Sequence, residues 1–313
     1  MPRIVRVAGG QLGPILLEHT RKDAVERLIA LMRRAAAEGA GLIVFPELAL
    51  TTFFPRWYFE DQAEVDKYFE REMPGPETQP LFDEAKRLGI GFYLGYAELT
   101  EEGGKTRHYN TAILAGPDGA IIGKYRKVHL PGSDAFRDGL QWQQLEKRYF
   151  EYGDLGFPVF RAFDGIVGMA ICNDRRWPET FRVMGLQGVE LVLIGYNSAA
   201  HDPNGGKESE DLRVFHSNLA AQAGAYQNAT WVVAVAKAGI EDGAGLIGSS
   251  VIVDPNGRIV EQASTKEDEL LVHDCDLDLC RHGKENMFDF ARHRRPDHYG
   301  IITAQAGVTP PGE

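Results

Sequence analysis

Twice along this chain an amphipathic helical stretch is stopped by glycine and followed at once by a short, wholly apolar run. The first instance spans residues 24–46 and the second residues 178–194. In the first, Val25, Leu28, Ile29, Met32 and Ala36 recur at helical spacing, and Thr20 with Asp23 has the pattern of a capping box. Gly39 and Gly41 then stop the helix, and residues 42–45 carry no polar side chain before Pro46-Glu47. A strand that is apolar on both faces must be covered on both faces, which is the situation of a parallel sheet between layers. The same grammar places a helix on Leu81, Phe82, Ala85 and Leu88, a stop at Gly89 and a strand over 90–96. It places a strand over 166–171 ending on Cys172, a helix opened by Pro178-Glu179 and ended by Gly185 and Gly188, and a strand over 191–194. The expectation is an α/β fold with two similar halves.

Two hairpins complete the outline. Gly-Pro-Asp-Gly at 116–119 joins apolar strands at 111–114 and 120–125, and Asp-Pro-Asn-Gly at 254–257 joins 250–253 to 258–261. No linker composition interrupts the 313 residues before the tail, so a single domain over 1–302 and a frayed tail over 303–313 are expected. With 34 basic and 45 acidic side chains the net charge is −11, which argues against a nucleic-acid partner. The longest apolar runs, 42–45 and 231–236, are far short of the ~20 residues of a spanning helix, so no membrane partner is expected. The N-terminal segment lacks the apolar core of a signal peptide. Three cysteines rule out a disulfide scaffold. Together these predict a cytoplasmic protein with reduced thiols.

Three motifs are decoys. Residues 243–248, Gly-Ala-Gly-Leu-Ile-Gly, match a dinucleotide fingerprint, but a strand and not a helix is expected after them. Cys275, Cys280 and His282 lack the spacing of a zinc site, and Cys275 reads as a core residue of a strand. Asn228-Ala-Thr230 is a glycosylation sequon only by its letters.

Reactive side chains stand at the ends of three apolar strands: Glu47 after Leu-Ile-Val-Phe-Pro, Lys127 after Ala-Ile-Ile-Gly-Lys-Tyr-Arg, and Cys172 after Ile-Val-Gly-Met-Ala-Ile. In α/β sheets, ligand sites collect at strand C-termini. Taken singly, these residues also read as a solvated loop glutamate, a surface lysine and a core cysteine. Together they compose a nucleophile, a base and a cation for an oxyanion, which is the outfit of acyl transfer. Cys172 is followed by Asn173-Asp174-Arg175-Arg176 and a helix start, so a lowered thiol pKa is expected.

The segments FPELAL at 45–50, GKYRKVHLPG at 123–132 and CNDRRWPE at 172–179 resemble the three signature segments of the nitrilase superfamily. Within it the chain is most similar to the N-carbamoyl-D-amino acid amidohydrolases, through FPELALTTFFPRW at 45–57, GIGFYLGYAEL at 89–99, LEKRYFEYGDLGFPV at 145–159, ICNDRRWPE at 171–179 and AYQNATW at 225–231. The resemblance implies a four-layer αββα sandwich, subunits paired through their helical layer into a homodimer or homotetramer, no metal and no cofactor. It implies hydrolysis of a small-molecule N-carbamoyl amino acid, with the D-enantiomer expected, by a Glu47-Lys127-Cys172 triad. It further implies that Glu146 positions substrate or Lys127; that Asn173, Arg175 and Arg176 surround the substrate carboxylate; and that Asn197, Ser198 and His129 contact substrate. The sequence departs from those enzymes at Gln144, where a histidine tends to fall, and in the loop 133–137, which is expected to rim the pocket. A β-ureidopropionase, an aliphatic amidase, a nitrilase or a non-catalytic binding sandwich are the alternatives.

Overall fold

The computed structural model describes residues 2–312. The first half runs β1 (Ile4–Gln11), helix Arg21–Ala37, β2 (Leu42–Val44), helix Gln79–Leu88 and β3 (Gly91–Glu102), then the hairpin strands β4 (Lys105–Ala115) and β5 (Ile121–Arg126). The second half pairs β6 (Val159–Ala162) with β7 (Gly165–Ile171). It continues through helix Pro178–Leu186, β8 (Leu191–Tyr196), helix Glu210–Asn228 and β9 (Trp231–Ala236). A small hairpin of β10 (Ala238–Glu241) and β11 (Ala244–Ile247) precedes β12 (Val251–Val253) and β13 (Ile259–Gln262), and β14 (Glu269–Asp276) returns to the first sheet. Each half is therefore a βαβαβ unit with flanking antiparallel strands. The six-stranded sheets have the orders β14-β1-β2-β3-β4-β5 and β13-β12-β9-β8-β7-β6. In each, three strands are parallel: β1, β2 and β3 in the first, β7, β8 and β9 in the second.

Strand alternation sets the layers. Val5, Val7, Leu42, Val44, Ala112 and Leu114 face a core shared with Met169, Ile171, Leu193 and Val233 of the second sheet. Their neighbours Ala8, Ile43, Ile113 and Ala115 turn the other way, onto Leu28, Met32, Leu81 and Phe82 of the first-half helices. Phe181, Met184, Ala221 and Ala225 cover the outer face of the second sheet. The result is the expected four-layer αββα sandwich. The capping box forms, with Asp23 N–H donating to Thr20 and Thr20 N–H to Asp23 Oδ2 at 2.8 Å, a device worth ~1 kcal/mol. Gly89 takes the left-handed cap conformation at φ 66°.

Some boundaries differ from expectation. β3 extends to Glu102 because it pairs with β4 along its whole length. Gly185 lies inside its helix, which ends at Leu186 before Gly188 at φ 85°. In the fingerprint-like segment, Gly243 makes the turn at φ 87° and Ala244–Ile247 is itself a strand. With no helix N-terminus there, it has no pyrophosphate cradle. Cys275 is buried in β14, as expected. No helix among the described residues is long and apolar enough to cross a membrane.

Candidate active site

β2 ends at Val44, and the chain then carries Glu47 between the two sheets, fully buried. Glu47 Oε1 accepts from Lys127 Nζ at 2.6 Å and from Asn110 Nδ2 at 2.8 Å, and Oε2 accepts from the Asn197 backbone N–H at 3.0 Å. Lys127 lies one residue past β5, and its backbone N–H donates to Asn110 O at 2.8 Å. Its ammonium also donates to Glu146 Oε2 at 2.5 Å, from the first residue of the short helix Glu146–Tyr149. All three side chains are fully buried. Burial opposes the Lys127 charge, but the Glu146 and Glu47 carboxylates outweigh it and hold the ammonium well above its ordinary pKa. Burial pushes Glu146 up to about 7, against the pull of Lys127 and with some help from the Glu47 charge.

Cys172 begins a 3-10 turn, Cys172–Arg176, directly after β7 and adopts φ 45°. A side chain other than glycine in this region costs of order 1–3 kcal/mol, so its surroundings must hold it there. Asp174 supplies part of the hold: its Oδ2 accepts from Ile171 N–H at 3.0 Å and Tyr125 OH at 2.7 Å. Arg175 donates to Cys172 O at 2.7 Å. The thiol donates to Asn197 O at 3.3 Å. The lowered thiol pKa expected from sequence is corrected here. Burial raises it first and the Glu47 charge second, and Lys127 and Arg175 do not reverse the balance. The balance favours the protonated form of the Cys172 thiol. Iodoacetamide alkylation of Cys172 should therefore keep accelerating beyond the ordinary thiol range of about pH 8.5; a rate already level below neutrality would contradict the buried-thiol assignment.

Cys172 opens onto a cavity of about 250 Å³. Asn173, Arg176, Asn197, Ser198 and Gln144 line it, together with Phe53, Trp142 and Leu246. Arg176 is exposed and makes no ion pair or hydrogen bond among the described residues. Arg213 and Glu208 also face the cavity but pair with each other at 2.7 Å. Burial and then Arg213 hold the His201 pKa below its ordinary value.

Three site expectations need correction. Arg175 does not face the cavity: its guanidinium is buried, donates to Ser198 Oγ and Ser217 Oγ at 2.9 and 3.0 Å, and stacks on Tyr196. It props the Cys172 turn. His129 also lies away from the cavity, because β5 ends at Arg126 and the chain turns before His129. Its Nδ1 is 2.8 Å from Asp174 Oδ1 and its ring stacks on Trp177. None of residues 133–137 lines the cavity; Pro131 and residues 142–144 form that wall.

Sequence reasoning missed Arg56, whose guanidinium lines the cavity while donating to Glu241 O and Oε2 at 2.6 and 2.9 Å. Glu241 also accepts from Lys237 Nζ at 2.8 Å and from Phe53 N–H at 2.9 Å, tying the β10–β11 hairpin to the loop after Glu47. The signal available was a set of charged residues inside otherwise apolar segments.

The carbon-nitrogen hydrolase family profile matches residues 6–285. The chain is 33% identical to an N-carbamoylputrescine amidase of Arabidopsis thaliana over 299 residues, covering 92% of this chain and 91% of that one. It is 33% identical to a nitrilase of Pyrococcus abyssi, covering 95% and 99%. Among solved structures, a carbon-nitrogen hydrolase from Helicobacter pylori G27 superposes with a TM-score of 0.82 at 23% identity, covering 97% of this chain and 99% of that one.

Proposed function

This chain belongs to the carbon-nitrogen hydrolase family, and we propose that within it the protein hydrolyses N-carbamoyl amino acids, the D-enantiomers foremost, through Cys172. One observation carries the substrate: the unpaired Arg176 guanidinium stands on the wall of the cavity that exposes the Cys172 thiol. A guanidinium pairs with a carboxylate through two parallel hydrogen bonds, and an N-carbamoyl amino acid supplies that carboxylate beside its ureido group.

In the proposed reaction Glu47 takes the Cys172 proton and the thiolate attacks the ureido carbonyl carbon. Lys127 and a backbone N–H near Cys172 stabilise the oxyanion. The tetrahedral adduct collapses, the proton on Glu47 passes to the departing nitrogen, and ammonia leaves. A water gives its proton to Glu47 and attacks the S-carbonyl intermediate; the sulfur departs and takes that proton back from Glu47, which restores the Cys172 thiol and the Glu47 carboxylate. The resulting carbamate breaks down to amino acid and carbon dioxide. Glu146 holds Lys127 in place, and Asn173, Asn197 and Ser198 contact the substrate.

The name carried by the Arabidopsis relative favours a second reading, a ureide with a cationic tail. Glu208 lines the cavity and is the group that would bind such a cation, but Arg213 already neutralises it. A panel of N-carbamoyl-D- and L-amino acids, N-carbamoyl-β-alanine, N-carbamoylputrescine, a neutral amide and a nitrile separates these readings. A best kcat/KM on the putrescine derivative or the nitrile would overturn the amino-acid reading. Arg176→Gln should raise KM for the carboxylate substrates ~10–100-fold, the worth of one charged hydrogen-bonded contact, and leave the neutral amide unchanged. Equal effects on both would remove the carboxylate contact.

The pairing of subunits is part of the same proposal. Phe215, Leu219 and Tyr226 on helix Glu210–Asn228, with Val183 and Leu186 on the neighbouring helix, leave apolar surface exposed. Light scattering should give at least twice the 34.7 kDa chain mass; a monomer would overturn the pairing.

A further inference from the structure

β3 and β8 reach the site with the same two residues, Gly95-Tyr96 from one sheet and Gly195-Tyr196 from the other. Between them passes the segment that carries Glu47. Four hydrogen bonds strap this segment on both sides. Phe45 N–H donates to Tyr93 O at 3.0 Å and Ala49 N–H to Gly95 O at 2.9 Å. Asn197 donates from its backbone N–H to Glu47 Oε2 and from its side chain to Glu47 O, both at 3.0 Å.

Neither glycine has a positive φ, so conformational freedom does not explain them. The missing Cβ does. A Cβ on Gly95 would stand 2.8 Å from both Glu47 Cα and Pro46 O. One on Gly195 would stand 2.6 Å from Glu47 N and 2.7 Å from Pro46 C. These are backbone atoms, and no change of rotamer relieves the overlap. β8 is also held from retreating: Gly195 N–H donates to Tyr93 OH at 3.1 Å, and Tyr93 OH donates to Ala170 O at 3.0 Å.

We propose that Gly95 and Gly195 are positioning residues, a two-sided seat that sets where the Glu47 carboxylate meets Lys127 and Asn197. A methyl group on either side displaces the Glu47 backbone. The proposal rests on Glu47 acting as the base, not on which ureide is turned over. The assay therefore uses the best substrate of the panel, whatever it proves to be.

The test is Gly195→Ala, with Gly168→Ala as a packing control. A Cβ on Gly168, in the same sheet, meets Met184 Sδ at 2.6 Å, a flexible thioether that can move aside. Gly195→Ala should lose ~100-fold in kcat, the scale of a misplacement near 1 Å, and Gly168→Ala should keep its kcat. Installing Gly195→Ala in a Glu47→Gln background should then cost less than about threefold in the residual turnover, because both changes act on one group. An unchanged kcat for Gly195→Ala, or a full loss repeated in the Glu47→Gln background, overturns the proposal. If Gly195→Ala does not fold, Gly95→Ala is put through the same cycle from the opposite sheet. If neither folds while Gly168→Ala does, the glycines serve the fold and the proposal falls. Undiminished turnover by Glu47→Gln would instead overturn the role of Glu47 itself, a separate failure.

Discussion

Cys172→Ala should release no measurable ammonia from any ureide or amide, a loss on the order of 10⁵-fold or more, while the protein still melts cooperatively near the parent temperature. The size of the loss follows from what is left behind. Glu47 and Lys127 would still be paired at 2.6 Å, but no other side chain lining the cavity carries a thiol, and every other cysteine is remote from it. Cys275 and Cys280 are buried in apolar surroundings that raise both thiols, Cys280 to about 12. The small cost in stability also follows from contacts. The sulfur makes two weak hydrogen bonds, donating to Asn197 O at 3.3 Å and accepting from Arg175 Nη1 at 3.8 Å, and the turn is held mainly by Asp174 and Arg175 through groups that alanine retains. Ammonia release and a thermal melt on the same preparation check both halves. Retained turnover would remove Cys172 from the chemistry, and an unfolded variant would mean that the sulfur, not its neighbours, holds the turn.

Glu47 and Cys172 were legible in sequence because each follows a strand that is apolar on both faces, and a chain leaving such a strand emerges at the edge where ligands bind; Lys127 follows the edge strand β5, whose Lys124, Tyr125 and Arg126 make a weaker signal. The two βαβαβ units were legible for the same reason, since glycine stops and apolar runs fix where helices end and strands begin. The arginines show where this reasoning fails. Arg175 and Arg176 are adjacent, and in a 3-10 turn successive side chains point about 120° apart, so one faces the interior and the other the cavity. The letters alone do not show that the turn is 3-10. Glu146 sits in a Leu-Glu-Lys-Arg-Tyr run that reads equally as a solvated surface; only its pairing with Lys127, 19 positions away, explains its burial. The thiol pKa failed for a related reason. Flanking arginines are visible in sequence, whereas desolvation and a buried Glu47 charge arise only when the two sheets close on each other.

That closure also underlies the second large effect, expected for Lys127→Met. The parent site buries two carboxylates around one ammonium. Methionine keeps most of the side-chain length and removes the charge, so Glu47 and Glu146 face each other without a cation. Breaking a buried pair by deleting one partner costs about 3–5 kcal/mol of stability, and loss of the proposed oxyanion donor should lower kcat by a factor of ~10²–10³. The pH dependence has a definite sign. Glu146 already has a folded-state pKa of about 7, above its unfolded value of about 4.3. The folded form thus holds its proton more tightly, and stability falls as pH rises from the unfolded value through about 7. Without Lys127 the folded value moves higher and the penalty at neutral pH grows. Lys127→Met should therefore melt at a clearly lower temperature near pH 8 than near pH 6, with a steeper dependence than the parent protein. Adding Glu146→Gln should restore much of the melting temperature by removing one of the facing charges, without restoring turnover. A melting temperature independent of pH in Lys127→Met would mean that the two carboxylates do not share the field of this lysine, and the role assigned to Glu146 would fall with it.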